Sequence, residues 1–380
     1  MSTTFPHMAT SMNDLPGQRK DERVRPIAFW RAFAARPEFG SLAGAVLVFA
    51  LFAVFAGDSG MFNLDGVMNW SQVAAYLGII AVGACLLMIA GEFDLSIGSM
   101  IGFAGMLMAV PAMFLGWPMW AAVAFTFVCC AALGWLNGYL VVRTGLPSFI
   151  VTLAFMFILR GLTLVLSTHF SNSTVVSGVG DAVARDPLIS ALFRGAALPG
   201  LFEWLANSGA IERLPNGKPV VEGIPKVLLW WGALAAAAGF VLSRTRTGNW
   251  IFTVGGDATA AKNVGVPVRR VKIGLFVVTA LCACLFGVLQ VADIGSAAAD
   301  RGLQKEFEAI IAAVIGGALL TGGYGSIRGA CIGALIFGVV QIGISYTDIN
   351  SDWYRVFLGA MLLLAVLLNH YIRLRATGAK

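Results

Sequence analysis

Residues 70–116 read WSQVAAYLGIIAVGACLLMIAGEFDLSIGSMIGFAGMLMAVPAMFLG. Two apolar runs flank one polar break, and the only formal charges are Glu92 and Asp94. A helix rises 1.5 Å per residue, so about 20 apolar residues cross the ~30 Å hydrocarbon core of a bilayer. The stretch therefore reads as two spans joined by a short polar turn. The whole chain has the same character. Of its 380 residues 58% are hydrophobic and 12% charged, against roughly 25% charged in soluble domains. Mean hydropathy is +0.82. Such a chain cannot hide its apolar surface in water, and its low charge excludes disorder. Short alternating segments, the signature of a membrane β-barrel, are missing. The expected fold class is all-α: a polytopic membrane bundle of about ten transmembrane helices.

Apolar runs suited to spanning lie near 41–57, 70–90, 97–116, 119–141, 148–167, 227–243, 272–292, 307–321, 329–346 and 354–372. The first, sixth and eighth are short enough to tilt or break. Lys and Arg set the orientation. The tail 1–40, the 244–272 loop, the 373–380 tail and two short turns hold 17 of the 26 Lys and Arg. Both termini are therefore expected in the cytoplasm, with 41–372 in the membrane and the 168–226 loop outside. Pro6, Pro16, Pro26 and Pro37 punctuate the 1–40 tail. Within it, 27–35 reads either as an interfacial helix or as part of a disordered leader. The loop 168–226 carries a short helical signal at 201–206.

Chemistry-bearing patterns are few. The chain has no G-x-x-x-x-G-K-[ST] segment, no H-E-x-x-H pattern and no Ser/His/Asp set, so no catalytic or metal site is expected. The six cysteines all sit within apolar runs and read as small hydrophobes. Any energy for work comes from a partner or an ion gradient. Ionisable groups inside apolar stretches are costly and point to function. Glu92 and Asp94, with Ser96 and Ser99, form either a plain turn with Asp94 as N-cap or a re-entrant break lining a pathway. Arg160, deep in the fifth run, either fixes helix register through an ion pair or faces a cavity. Glu308 is either a surface carboxylate or part of the same path. Asn137 and Gln290 suit interhelical hydrogen bonds. Gly98/Gly102, Gly134/Gly138 and Gly325/Gly329/Gly333 space small residues for close helix packing. In the basic 244–272 loop, Asp257 can N-cap a helix over Ala258–Val264, with Gly265 and Pro267 ending it.

Four stretches together resemble the permeases of ribose-type ABC importers. GEFDLSIGS at 91–99 is similar to their G-G-x-D-L-S-V-G-S motif. PSFIVTLAFMFILRG at 147–161, VGGDATAAKNVGV at 254–266 and FEAIIAAVIGGALLTGGYGSIRGACIG at 307–333 resemble three further motifs in the same order. The resemblance covers roughly 70–372. It implies a bacterial inner-membrane, multi-pass permease subunit of an ATP-driven importer of a sugar or related polar solute. It implies several partners: cytoplasmic ABC ATPase subunits, a periplasmic solute-binding protein, and a second permease copy or paralogue. Membrane lipid and a small-molecule sugar complete the set, and no nucleic acid is involved. The permease itself needs no cofactor, since ATP is bound by the partner ATPase.

By the resemblance, 244–272 is a coupling loop and 168–226 a periplasmic loop. Gly255, Gly256, Asp257, Ala260, Ala261, Lys262 and Gly265 form the ATPase-coupling helix. Glu92, Asp94, Ser96, Asn137, Arg160 and Glu308 are the candidates for the translocation pathway or gate. The sequence departs from the pattern at Glu92, where Gly is usual, at Asp257, where Asn is usual, and in the length of 168–226. The rival reading is an ion-coupled secondary transporter using Glu92, Asp94 and Glu308 as ion sites.

Overall fold

A computed structural model describes residues 38–347, 349–361, 363–364 and 367. The expectations for residues 1–37 and 373–380, and for 362, 365–366 and 368–372 of the last expected span, lie outside the described residues.

The apolar runs of the sequence become helices because a helix satisfies every interior backbone group within itself, which lipid cannot do. In chain order these are α1 (Glu38–Phe55), α2 (Leu64–Ile89), α3 (Ile97–Phe114), α4 (Met119–Thr144) and α5 (Ser148–Ser171). Three short helices follow: α6 (Val179–Arg185), α7 (Pro187–Phe193) and α8 (Pro199–Asn207). Then come α9 (Lys226–Arg244), α10 (Arg246–Gly256), α11 (Ala258–Asn263), α12 (Val268–Ile294), α13 (Lys305–Ile315) and α14 (Ile327–Ser345). Residues 353–361 are helical as well.

Among the described residues, 7 helices are long and apolar enough to cross a membrane: α2, α3, α4, α5, α9, α12 and α14. The expected count of about ten is not reproduced. The apolar helical stretch Gly40–Phe55 is shorter. The eighth expected span, 307–321, fails for a local reason. α13 stops at Ile315, and Gly317, Gly322, Gly323 and Gly325 all adopt positive φ in the segment that follows. What sequence reads as one span is an 11-residue half-helix and an irregular glycine-rich connection.

α2, α3 and α12 are mostly buried, while α4, α5 and α9 are buried over a third of their length or less. The centre of the bundle is thus α2, α3 and α12, with α14 against α2. Close approach depends on small residues. A Cβ on Gly134 of α4 would stand 2.8 Å from the Phe276 carbonyl of α12, and one on Gly138 would stand 2.8 Å from Ile273 Cα. The spacing read as a packing seam is one. The six cysteines are all free.

The 168–226 segment is folded. β1 (Val175–Val176) pairs antiparallel with β4 (Ala297–Ala298), and β2 (Ala196–Ala197) with β3 (Ile224–Pro225). Asp186 caps α7 by accepting from Leu188 N at 3.1 Å and Ile189 N at 3.2 Å. Its other oxygen accepts from Trp120 N at 3.0 Å, tying the segment to the start of α4. Phe202, Ala206, Ile211 and Val221 form a small apolar cluster of their own. Asp293, near the end of α12, accepts from Tyr76 of α2 at 2.6 Å and from Gly195 N at 3.0 Å. The segment is therefore fastened to α12, and through Asp293 to α2.

Candidate functional site

The break between α2 and α3 is buried despite its polarity. Glu92 is 8% exposed, Asp94 3% and Ser96 0%. Buried polar groups must find partners or cost several kcal/mol, and these find them on three other helices. Phe93 N donates to Ser148 Oγ at 3.0 Å and Leu95 N to Thr152 Oγ1 at 3.0 Å, both on α5. Asp94 Oδ1 accepts from Ser96 N at 2.8 Å and Ser96 Oγ at 2.5 Å. Asn137 Nδ2 of α4 donates to Ser96 Oγ at 3.1 Å. Glu92 forms an ion pair with Lys272 of α12. The N-cap position of α3 is Ser96, so Asp94 is not the cap itself; its carboxylate holds the residue that is. A solvent-exposed turn does not describe this segment. Glu92, Asp94, Ser96 and Asn137 lie together here, with Lys272, Ser148 and Thr152.

The remaining two pathway candidates lie at a neighbouring cluster. Glu308 is 4% exposed, which removes the surface-carboxylate reading, and it accepts from Lys305 Nζ at 2.6 Å. Tyr354 is half-buried, with its hydroxyl enclosed beside Glu308. Arg160 is half-buried on α5 and has no ion-pair partner within 4 Å among the described residues; the carboxylate whose charge reaches it is Glu306. Glu306 is 6% exposed and lies over α3, where a Cβ on Gly98 would meet its Oε2. Glu306 escaped sequence reading because it sits in a charged run, Lys305-Glu306-Phe307-Glu308, that resembles a surface loop.

The capped helix expected in the basic loop is α11. Asp257 Oδ1 accepts from Thr259 N at 2.8 Å and Ala260 N at 2.9 Å. The helix ends at Asn263, Gly265 takes φ +84, and Val266 N returns to Ala261 O at 3.0 Å. Expected and observed ends agree to one residue. Ala260, Lys262 and Asp257 are exposed, whereas Ala261 is fully buried. The rest of the loop is more ordered than composition suggests. α10 precedes α11, with Thr245 accepting from Gly248 N at 3.3 Å, and it buries Ile251 and Val254.

The end of α10 touches the buried break directly. Gly255 packs so closely that a Cβ would stand 1.7 Å from Ile89 O and 2.6 Å from Gly323 N. Gly323 N donates to Ile89 O at 2.8 Å. A Cβ on Gly322 would lie 2.8 Å from both Gly255 O and Gly91 Cα. Three segments meet backbone to backbone: the end of α2, the end of α10, and the irregular connection before α14. Side chains would hold them apart, which only glycine avoids. Gly256 by contrast has nothing near its Cβ position.

The sequence profile described as "Branched-chain amino acid transport system / permease component" matches residues 66–366. A xylose transport system permease protein of Escherichia coli K12 is 30% identical over 363 residues, covering 87% of this chain and 91% of that one. A ribose import permease protein of the same strain is 31% identical over 311 residues, covering 81% and 87%. A probable ABC transporter permease protein of Sinorhizobium fredii is 31% identical over 335 residues, covering 88% and 90%. No solved structure matches the chain.

Proposed function

We propose, from the premise that this chain belongs to the branched-chain amino acid transport system / permease component family, that it is the membrane subunit of an ATP-driven sugar importer. It is a multi-pass membrane protein and a transport subunit without an ATPase site of its own. The ion-coupled alternative gives way to the family match. The solute class rests on the relatives named for xylose and ribose transport, which favour a pentose or another small neutral sugar.

In this reading both termini and α10–α11 face the cytoplasm, and the folded 168–226 segment faces the periplasm. A cytoplasmic ATPase docks on the exposed face of α11, at Asp257, Ala260 and Lys262. A periplasmic binding protein delivers solute to the opposite end. A second permease copy completes the path. The single observation that carries the mechanism is the backbone meeting of Gly91, Gly255 and Gly322. A displacement of α10–α11 has no soft side chain to absorb it before it reaches the Glu92–Ser96 break. Two sites and two states are then coupled through one packed contact, which is what allostery requires. Glu92, Asp94, Ser96, Asn137, Arg160 and Glu308 are the polar groups whose arrangement differs between the outward and inward states.

The test is Ala260→Glu in the assembled complex. The residue is exposed, so the fold should stand, while a charge is placed in the docking face. Hydrolysis by the ATPase is expected to persist with uptake lost. Uptake at the wild-type rate would count against docking at α11.

A further inference from the structure

Beside α11 lies a cleft of about 600 Å³ between the end of α4 and the start of α12. Four cations line it: Lys262, Arg269, Arg270 and Lys272. Its one carboxylate is Glu92, already paired with Lys272. Lys262, Arg269 and Arg270 are exposed, and none of their three side chains has an ion-pair or hydrogen-bond partner among the described residues. Three unmatched positive charges around one concavity create a strong local potential for an anion.

The opposite wall is apolar, with Val142 and Leu146 contributing. Both helices that frame the cleft are membrane-spanning, and it sits at their shared end. Exposed Trp135, Leu136 and Tyr139 on α4 lead to it along the helix surface. A cationic rim over an apolar wall, at the boundary of the spans and open to the lipid-facing helix, matches an anionic lipid better than a soluble anion or an acidic peptide. Basic pockets between spanning helices bind acidic headgroups for this reason.

We propose that this cleft holds the headgroup phosphate of an anionic phospholipid. Arg269 and Arg270 contact the phosphate, and the glycerol and first acyl carbons lie on Val142 and Leu146. The site has a consequence for transport. Lys272 shares the cleft with Glu92 of the buried break, so a headgroup anion competes with Glu92 for Lys272. The lipid thereby biases the break, and uptake depends on it. That consequence rests on the transport role proposed above; the binding does not.

The experiment uses the complex with its ATPase. Native mass spectrometry reads retained phosphatidylglycerol, and vesicle uptake is measured in phosphatidylcholine with and without phosphatidylglycerol. Arg269→Gln/Arg270→Gln is expected to weaken retention roughly thirtyfold, at about fivefold per lost cation near an anionic phosphate. Arg269→Lys/Arg270→Lys keeps both positive charges and should retain most of the binding, since Lys holds phosphate as a point charge. Wild-type uptake should rise with phosphatidylglycerol and that of the Gln variant should not. Equal retention by wild type and the Gln variant overturns the proposal. So does glycerol phosphate in solution restoring uptake in phosphatidylcholine, which assigns the cleft to a free anion. Loss of retention on ATPase docking overturns it too, by assigning the cleft to a protein contact. If wild type transports nothing in any lipid, the transport reading fails while retention alone decides the cleft.

Discussion

Gly255→Ala is the sharpest perturbation of the contact between α10 and the break. The added methyl would stand 1.7 Å from Ile89 O and 2.6 Å from Gly323 N. Ordinary van der Waals contact begins near 3.4 Å, so backbone on two other segments has to move. Overpacking of a tight interior costs about 1–3 kcal/mol. The same movement breaks the Gly323 N to Ile89 O bond, 2.8 Å long, and an orphaned buried partner adds about 1–3 kcal/mol. The sum, about 2–6 kcal/mol, is a large part of the 5–15 kcal/mol that holds a typical domain together. Gly256→Ala is the control one residue away, with nothing within 4 Å of its Cβ position. Thermal unfolding in detergent and ATP-dependent uptake in vesicles would be read for both. Gly255→Ala is expected to lower the midpoint and to lose uptake by more than its folded fraction explains, with Gly256→Ala close to wild type. Equal behaviour of the two variants would refute a mechanical role for the contact.

Three further outcomes are expected. Ala261→Glu buries a charge where Ala261 is fully enclosed and should cost several kcal/mol of stability, read as a lower unfolding midpoint, unlike the exposed neighbour Ala260. Lys272→Ala leaves Glu92 buried without its counter-charge and should cost about 3–5 kcal/mol; Glu92→Gln/Lys272→Met should be milder, and a double-mutant cycle measures the coupling. Arg160→Ala should lower uptake with the protein still inserted, because its side chain supports no ion pair among the described residues; normal uptake would make it incidental.

Composition and period made most of the bundle legible. The runs at 70–90, 97–116 and 119–141 match α2, α3 and α4 closely, because a spanning helix is set by local apolarity and length. The cap at Asp257 and the stop at Gly265 are equally local, and α11 follows them. The failures have a common origin in glycine and in distance along the chain. α10 lies in a stretch whose basic composition reads as a loop, although Gly248 and Gly255 are close-packing contacts. The 307–321 run reads as a span because hydropathy does not register that positive-φ glycines end a helix. The partner of Glu92 lies 180 residues away, and no spacing rule links two such positions. Ser148 and Thr152 fell inside an apolar helix as unremarked hydroxyls, yet they complete the hydrogen bonding of the break.

The most direct measurement is uptake of a labelled pentose into vesicles carrying this chain with its ATPase and binding protein. Uptake that requires ATP and the binding protein, and that survives collapse of the ion gradients by an uncoupler, is the expected result. Uptake that continues without ATP and stops with the uncoupler would contradict it.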